Sequence, residues 1–172
     1  MIGVLLLAGC NGGQSTSSAT TAPETTAIRA TTDATAPPAC QSPVTLQQVS
    51  TAFAKVIGRS PVFAAGMDAE GVVQGSVVSG RLEGKILWVV GASMTAPVTV
   101  TVAKLDATLA VGGQPPARSA TLEPTNALPS PSDPKFREYP SGIAVSGPGC
   151  VTVTALWPPD GTWTATLLLT DG

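Results

Sequence analysis

The chain of 172 residues contains no histidine. That removes the usual general base, the commonest metal ligand and the one side chain that switches charge near neutral pH. Charge is also scarce: nine Lys and Arg face eleven Asp and Glu, for a net charge of −2. A nucleic-acid partner requires a basic face, so none is expected, and neither is a polybasic membrane-binding patch. No Asp-x-Asp-x-Asp loop occurs, and no metal and no cofactor are expected. No Asn-x-Ser/Thr sequence occurs either. The apolar stretch Met1–Gly9 is too short to cross a bilayer, which takes roughly 20 apolar residues. Only three cysteines are present, Cys10, Cys40 and Cys150.

The first of these cysteines closes an informative motif. Leu5-Leu6-Leu7-Ala8-Gly9-Cys10 is an apolar run ending in small residues and a cysteine. It resembles the lipobox of bacterial lipoproteins. The resemblance implies that Cys10 receives a diacylglyceryl thioether and becomes the first residue of the mature protein after cleavage. Residues 1–9 are then a lipoprotein signal peptide. They carry no Lys or Arg, whereas such a leader has a basic n-region, so the leader is expected to be incomplete. The expected location is the outer face of a bacterial cytoplasmic membrane or the cell surface, with the membrane itself as a partner through the lipid on Cys10. Each buried CH₂ of an acyl chain contributes about 0.8 kcal/mol, and two chains hold where one gives only marginal binding. With Cys10 taken by lipid, Cys40 and Cys150 remain. In an oxidising compartment they are expected to pair; two buried free thiols are the alternative.

Residues 10–39 are Ser, Thr, Ala, Pro and Gly with scarcely a large apolar side chain beyond Ile28. Such a segment buries too little surface to offset the entropy of ordering. It reads as a disordered tether with a reach on the order of 30 Å, and its Thr and Ser density resembles O-glycosylated stalks.

Residues 40–172 read as one domain. Thr45-Leu46-Gln47-Gln48 has the form of a capping box. Leu46, Val49, Ala52, Phe53, Val56 and Ile57 then recur at helical spacing, with Gly58 and Pro61 as stop signals. One short N-terminal amphipathic helix is expected. Beyond it the period becomes alternating. Strands are expected at 61–65, 72–78, 85–90, 98–102, 105–111 and 117–122, a loop at 124–134, and a further section from Gly142. Residues 85–90 are apolar on both parities, as in a strand covered on both faces. The clearest hairpin joins 150–157 to 162–169 through Pro158-Pro159-Asp160-Gly161, with Gly161 expected in the left-handed position. Val151, Val153, Ala155 and Trp157, with Trp163, Ala165, Leu167 and Leu169, are expected to face the core. Many short strands with Gly and Pro turns predict a mainly β domain, an antiparallel β-sandwich.

Several stretches carry a resemblance to a known group. They are Cys40-Gln41-Ser42-Pro43-Val44-Thr45, Leu87-Trp88, Pro97-Val98-Thr99-Val100, and Tyr139-Pro140-Ser141-Gly142 leading into Pro148-Gly149-Cys150. Together they resemble bacterial surface lipoproteins of undetermined function with an immunoglobulin-like sandwich. Val151 departs from the pattern, since that group often has an aromatic residue after the cysteine. The resemblance implies fold, disulfide and location, and no chemistry.

Candidate chemistry is thin. Asp68, Glu70, Arg81, Glu83 and Lys85 cluster in sequence. Asp68 and Glu70 as paired carboxylates suit a glycosidase or a Ca²⁺ ligand set, but charged turns and solvent faces explain the same residues. A serine nucleophile lacks its histidine, and a Ser-Lys pair lacks a sequence context. Gly112-Gly113 and Gly147-Pro148-Gly149 read as turns. Trp88, Trp157 and Trp163 suit glycan stacking if they line a surface, yet their places in regular strands favour core packing. The expected function is a non-catalytic, monomeric binding or structural module of the cell envelope, recognising a protein, peptide or glycan. Asp68, Glu70, Trp157 and Trp163 are its candidate contacts, and no catalytic residue is assigned. The alternatives are a carboxylate- or Lys-dependent envelope hydrolase and a small-ligand carrier.

Overall fold

Alternating apolar residues do form strands over more than half of the described residues. The computed structural model describes Cys40 and residues 45–172. The leader, Cys10 and the tether lie outside the described residues. The strands are β1 (Ile57–Arg59), β2 (Val62–Ala65), β3 (Val72–Val78), β4 (Arg81–Gly91), β5 (Val98–Ala103) and β6 (Thr108–Val111). They continue with β7 (Ser119–Leu122), β8 (Leu128–Pro129), β9 (Phe136–Val145), β10 (Gly149–Trp157) and β11 (Gly161–Asp171). A single 3₁₀ turn covers Pro124–Asn126.

All eleven strands belong to one open mixed sheet, ordered β1-β2-β4-β3-β11-β10-β5-β7. β9 pairs with the other edge of β4 and carries β6 and β8. The pairing is antiparallel except between β3 and β11, which run parallel, so the expectation of a wholly antiparallel sheet is corrected. β3 makes the crossing between the two limbs of the sheet. Its first half pairs with β11 and its second half with β4, and Gly75 takes part in both. Gly75 stands opposite Gly84. A Cβ on Gly84 would come within 2.6 Å of Val73 Cγ1, and one on Gly75 within 2.8 Å of the Glu83 carbonyl. Two facing glycines therefore let the backbones approach where the sheet changes limb.

One core unites both limbs. Ile86 and Trp88 of β4, Ile143 of β9, Val100 of β5, Val153 of β10 and Leu167 of β11 pack into a single cluster. Each such aliphatic side chain contributes about 1.5–3 kcal/mol on burial. In β10 the buried residues are Val151, Val153, Ala155 and Trp157; in β11 Trp163, Leu167 and Leu169 are buried and Ala165 is half-buried. The threonines between them form cross-strand hydroxyl pairs on the opposite face, Thr152 with Thr166 at 3.2 Å and Thr154 with Thr164 at 2.9 Å.

The amphipathic helix expected after Thr45 does not form. Residues 45–56 make a looped segment closed by a two-way bridge, Gln47 N–H to Val56 C=O at 2.8 Å and Val56 N–H to Gln47 C=O at 3.0 Å. The Ser50 hydroxyl accepts from the Phe53 N–H at 3.3 Å. This local alternative is the one by which serine competes with helical hydrogen bonds. Ile57 is drawn into β1, opposite Ala64. The apolar residues are still used. Phe53 and Val56 close over the outer face of β2 and β4 in a second cluster with Phe63 and Val89, packed by Val49, Leu87 and Phe136. Phe53 meets Phe136 edge-on at 5.4 Å. This is why residues 85–90 are apolar on both parities.

Three further differences concern loops. The stretch 124–134, expected as a loop, holds the 3₁₀ turn and the two-residue β8, which pairs with Arg137 and Glu138. β9 begins at Phe136, so Tyr139-Pro140-Ser141 lies within a strand. Gly161 does not adopt a left-handed φ, although seven other glycines do.

The disulfide joins Cys40 to Cys150, with Cα atoms 5.7 Å apart. It fastens the start of the described chain to the opening of β10. Closing a loop of 110 residues contributes about 4–5 kcal/mol in the chain-entropy account.

Candidate functional site

Along β4 the outward parity reads Glu83, Lys85, Leu87 and Val89. The second cluster covers Leu87 and Val89 and leaves Glu83 and Lys85 exposed. Their cross-strand neighbours are small: Gly142 stands opposite Lys85, Ala144 opposite Glu83, and Ala110 opposite Gly142. Small residues beside two long charged ones leave a groove of about 750 Å³, walled by Ser76, Val78 and the Gly112-Gly113-Gln114 turn. Gln114 fastens that turn by donating from Nε2 to the Thr121 carbonyl at 2.9 Å. Ser141 also lines the groove, but its hydroxyl donates to the Ile86 carbonyl at 2.8 Å. The charged chemistry offered to a ligand is therefore the Glu83 carboxylate and the Lys85 ammonium.

The five charged residues that cluster in sequence separate in space. Only Glu83 and Lys85 reach the groove. Asp68 is a turn-former: its Oδ1 accepts from the Glu70 N–H at 3.0 Å and the Val72 N–H at 2.8 Å. Glu70 is exposed in that same turn. Arg81 donates through Nη2 to the carbonyls of Asp106 at 2.7 Å and Ala144 at 2.9 Å, which ties the turn before β6 to β9. Among the described residues no three His, Cys, Asp or Glu side chains gather as a metal site.

The tryptophans sit deep. Trp163 is 9% exposed and donates from Nε1 to the Val62 carbonyl at 2.9 Å. Its ring lies 5.7 Å from that of Trp88, which is fully buried. Trp157 is 8% exposed, with the Arg59 guanidinium 5.5 Å over its ring. Trp157 contributes to a second hollow of about 510 Å³ with Pro97, Leu156, Pro159 and Asp160.

Sequence reasoning did not single out Asp106. Hydrogen bonds from Ser146, first from its side chain and then from its backbone N–H, hold this carboxyl at about 2, with Lys104 adding a smaller attraction. Lys104 itself donates to the Gly147 carbonyl at 3.3 Å. The group clamps two turns that are 40 residues apart, and no local sequence signal marks it. Burial raises the Tyr139 phenol above its ordinary range, and its hydroxyl donates to the Glu123 carbonyl at 3.1 Å.

No protein-family model matches this chain. A search of curated proteins gives no match either. Among solved structures, the N-terminal domain of PorA is similar at 12% identity, covering 64% of this chain and 98% of that one with a TM-score of 0.31. A likeness at that level transfers neither architecture nor activity.

Proposed function

We propose that the chain is a lipid-anchored extracytoplasmic lipoprotein whose β domain serves as a non-catalytic binding or structural module of the cell envelope. The observation that carries this reading is the Cys40–Cys150 disulfide. Such bonds persist in oxidising compartments outside the cytoplasm, which agrees with the lipobox at Cys10. Cys40 lies 30 residues after Cys10 in the sequence, so the domain starts one tether length from the lipid.

The finer architecture proposed is an immunoglobulin-like sandwich. Support comes from the single core shared by both limbs of the sheet and from Trp88 at its centre. The binding surface proposed is the groove over β4, with Glu83 and Lys85 as its charged contacts. The non-catalytic reading is supported by the groove's Ser141, whose hydroxyl is committed to a backbone hydrogen bond, and by Asp68 and Arg81, which lie outside the groove and are engaged with backbone groups of their own.

The test is retention of the full chain, carrying Cys10→Ala, on purified cell-wall material. Retention without turnover, weakened by Glu83→Gln and Lys85→Gln, is the expected result. Release of wall fragments that stops in Glu83→Gln would replace this reading with the carboxylate-dependent hydrolase.

A further inference from the structure

Five large apolar side chains stand exposed among the described residues: Val77, Val78, Leu105, Leu128 and Leu156. Single exposed aliphatics are ordinary, but three of these five belong to adjoining loops at one end of the domain. Val77 and Val78 lead into the Ser79-Gly80 tip of the β3–β4 hairpin, with Val78 opposite Arg81. Leu105, 91% exposed, stands in the turn between β5 and β6. Arg81 joins the two loops: its Nη2 donates to the carbonyl of Asp106, the residue after Leu105, at 2.7 Å. The loop between β9 and β10 is fastened to the same turn. The Ser146 N–H donates to the Asp106 carboxylate, and the Lys104 ammonium donates to the Gly147 carbonyl.

The chain enters the domain at this same end. β10 opens directly after the third loop, and the disulfide holds Cys40 to Cys150 there. Cys10 precedes Cys40 by 30 residues, and a tether of that length reaches on the order of 30 Å. The other end of the sheet is further off: Leu156 lies six residues along β10 from Cys150, or about 20 Å. Charge at the entry end is mixed, with Arg81 and Lys104 against Asp106 and Asp171. Arg81, Lys104 and Asp106 are engaged with backbone groups, and the hairpin tip from Val77 to Gly80 carries no charge. The end therefore attracts an apolar medium and has no electrostatic preference.

We propose that these loop tips, led by Leu105, dip into the surface of the lipid bilayer that holds Cys10, a contact that rests on the lipid-anchored reading above. Val77 and Val78 point to opposite faces of β3. A rigid partner lying on one face covers one valine, whereas a fluid bilayer surrounds the tip and covers both. Three aliphatic side chains give a weak contact on their own. The tether makes it intramolecular, and the resulting effective concentration lets a weak contact form. The acyl chains on Cys10 and the loop tips then act together on one membrane. The domain is held with its entry end against the lipid and the Trp157 end outward.

The test uses the full chain on phosphatidylcholine vesicles whose acyl chains are brominated, so that they quench any indole at acyl depth. With Cys40 and Cys150 joined, the Cys10 thiol is coupled to a maleimide-bearing phospholipid in the vesicle, which makes the outcome separate from lipidation of Cys10 in the host. Leu105→Trp and Leu156→Trp place a new indole at either end, and the emission of the buried native tryptophans is subtracted. Leu105→Trp is expected to shift to the blue and lose emission to the brominated chains, while Leu156→Trp keeps its emission. Adding Val77→Asp and Val78→Asp to the Leu105→Trp chain is expected to abolish the quenching, with thermal unfolding unchanged because both valines are exposed. Unquenched Leu105→Trp, equal quenching of Leu156→Trp, or quenching that survives the two aspartates would each overturn the proposal. A blue shift that grows with surface density and lacks quenching would also overturn it, and would give the loop tips to a second copy of the chain.

Discussion

The indole of Trp157 lies flush against Gly161: a Cβ on Gly161 would fall 2.0 Å from both Cε2 and Nε1 of the ring. The two residues are cross-strand partners at the mouth of the β10–β11 hairpin. Gly161 is thus required by close approach, whereas its turn position alone suggests a need for left-handed φ. Gly161→Ala is expected to destabilise the domain by about 1–3 kcal/mol, the usual range for overpacking. A urea titration measures this, and an unchanged midpoint would contradict it.

Trp163 supports the same end of the core from the other strand. Truncation removes a large buried aromatic, the hydrogen bond to the Val62 carbonyl and the contact with Trp88. Trp163→Ala is expected to cost about 3–5 kcal/mol, with Trp163→Phe costing less. A loss below about 1 kcal/mol in the same titration would mean that the ring is not a core residue, and would reopen it as a glycan platform.

These two tryptophans show how much of the fold was legible. The hairpin could be read because its apolar residues and threonines alternate without a break, and because a Pro-Pro-Asp-Gly turn separates the strands. The helix expected from the spacing of Val49, Phe53 and Val56 does not form, because their burial comes from a looped segment packed on β2 and β4. Spacing reports which residues seek burial, and it does not report the surface that receives them. The groove was only half visible. Glu83 and Lys85 stand out as charges, but small residues such as Ala110 and Gly142 line it between them. Small residues from separate strands leave no periodic mark. The Asp106–Ser146 clamp is likewise a contact that only the folded chain creates.

Reduction of the disulfide frees the start of the domain from β10. Replacing Cys40 and Cys150 with alanine is expected to lower stability by about 2–5 kcal/mol. Denaturation of the natively secreted protein with and without reductant measures it, and a nonreducing peptide map should show the two cysteines joined. Two alkylatable thiols would contradict the pairing.

Asp106 sets a pH dependence. Its folded value of about 2 lies below its ordinary value of 3.8. A depressed carboxyl contributes stability that is complete above the ordinary value and lost as pH falls through the folded one. The stability difference between the native chain and Asp106→Asn should therefore be constant above about pH 5 and shrink between about pH 4 and pH 2. Acid titration of both proteins by circular dichroism tests this, and a difference independent of pH across that window would contradict it.

The proposed membrane anchor depends on Cys10, and one fractionation tests it. The native gene and its Cys10→Ala variant are expressed in the bacterial host, and membrane and soluble fractions are compared. The account predicts that the native protein sediments with membranes and carries a diacylglyceryl-modified cysteine by mass spectrometry, while the variant is released. A variant that stays with the membrane, or a native protein with an unmodified Cys10, would contradict the account.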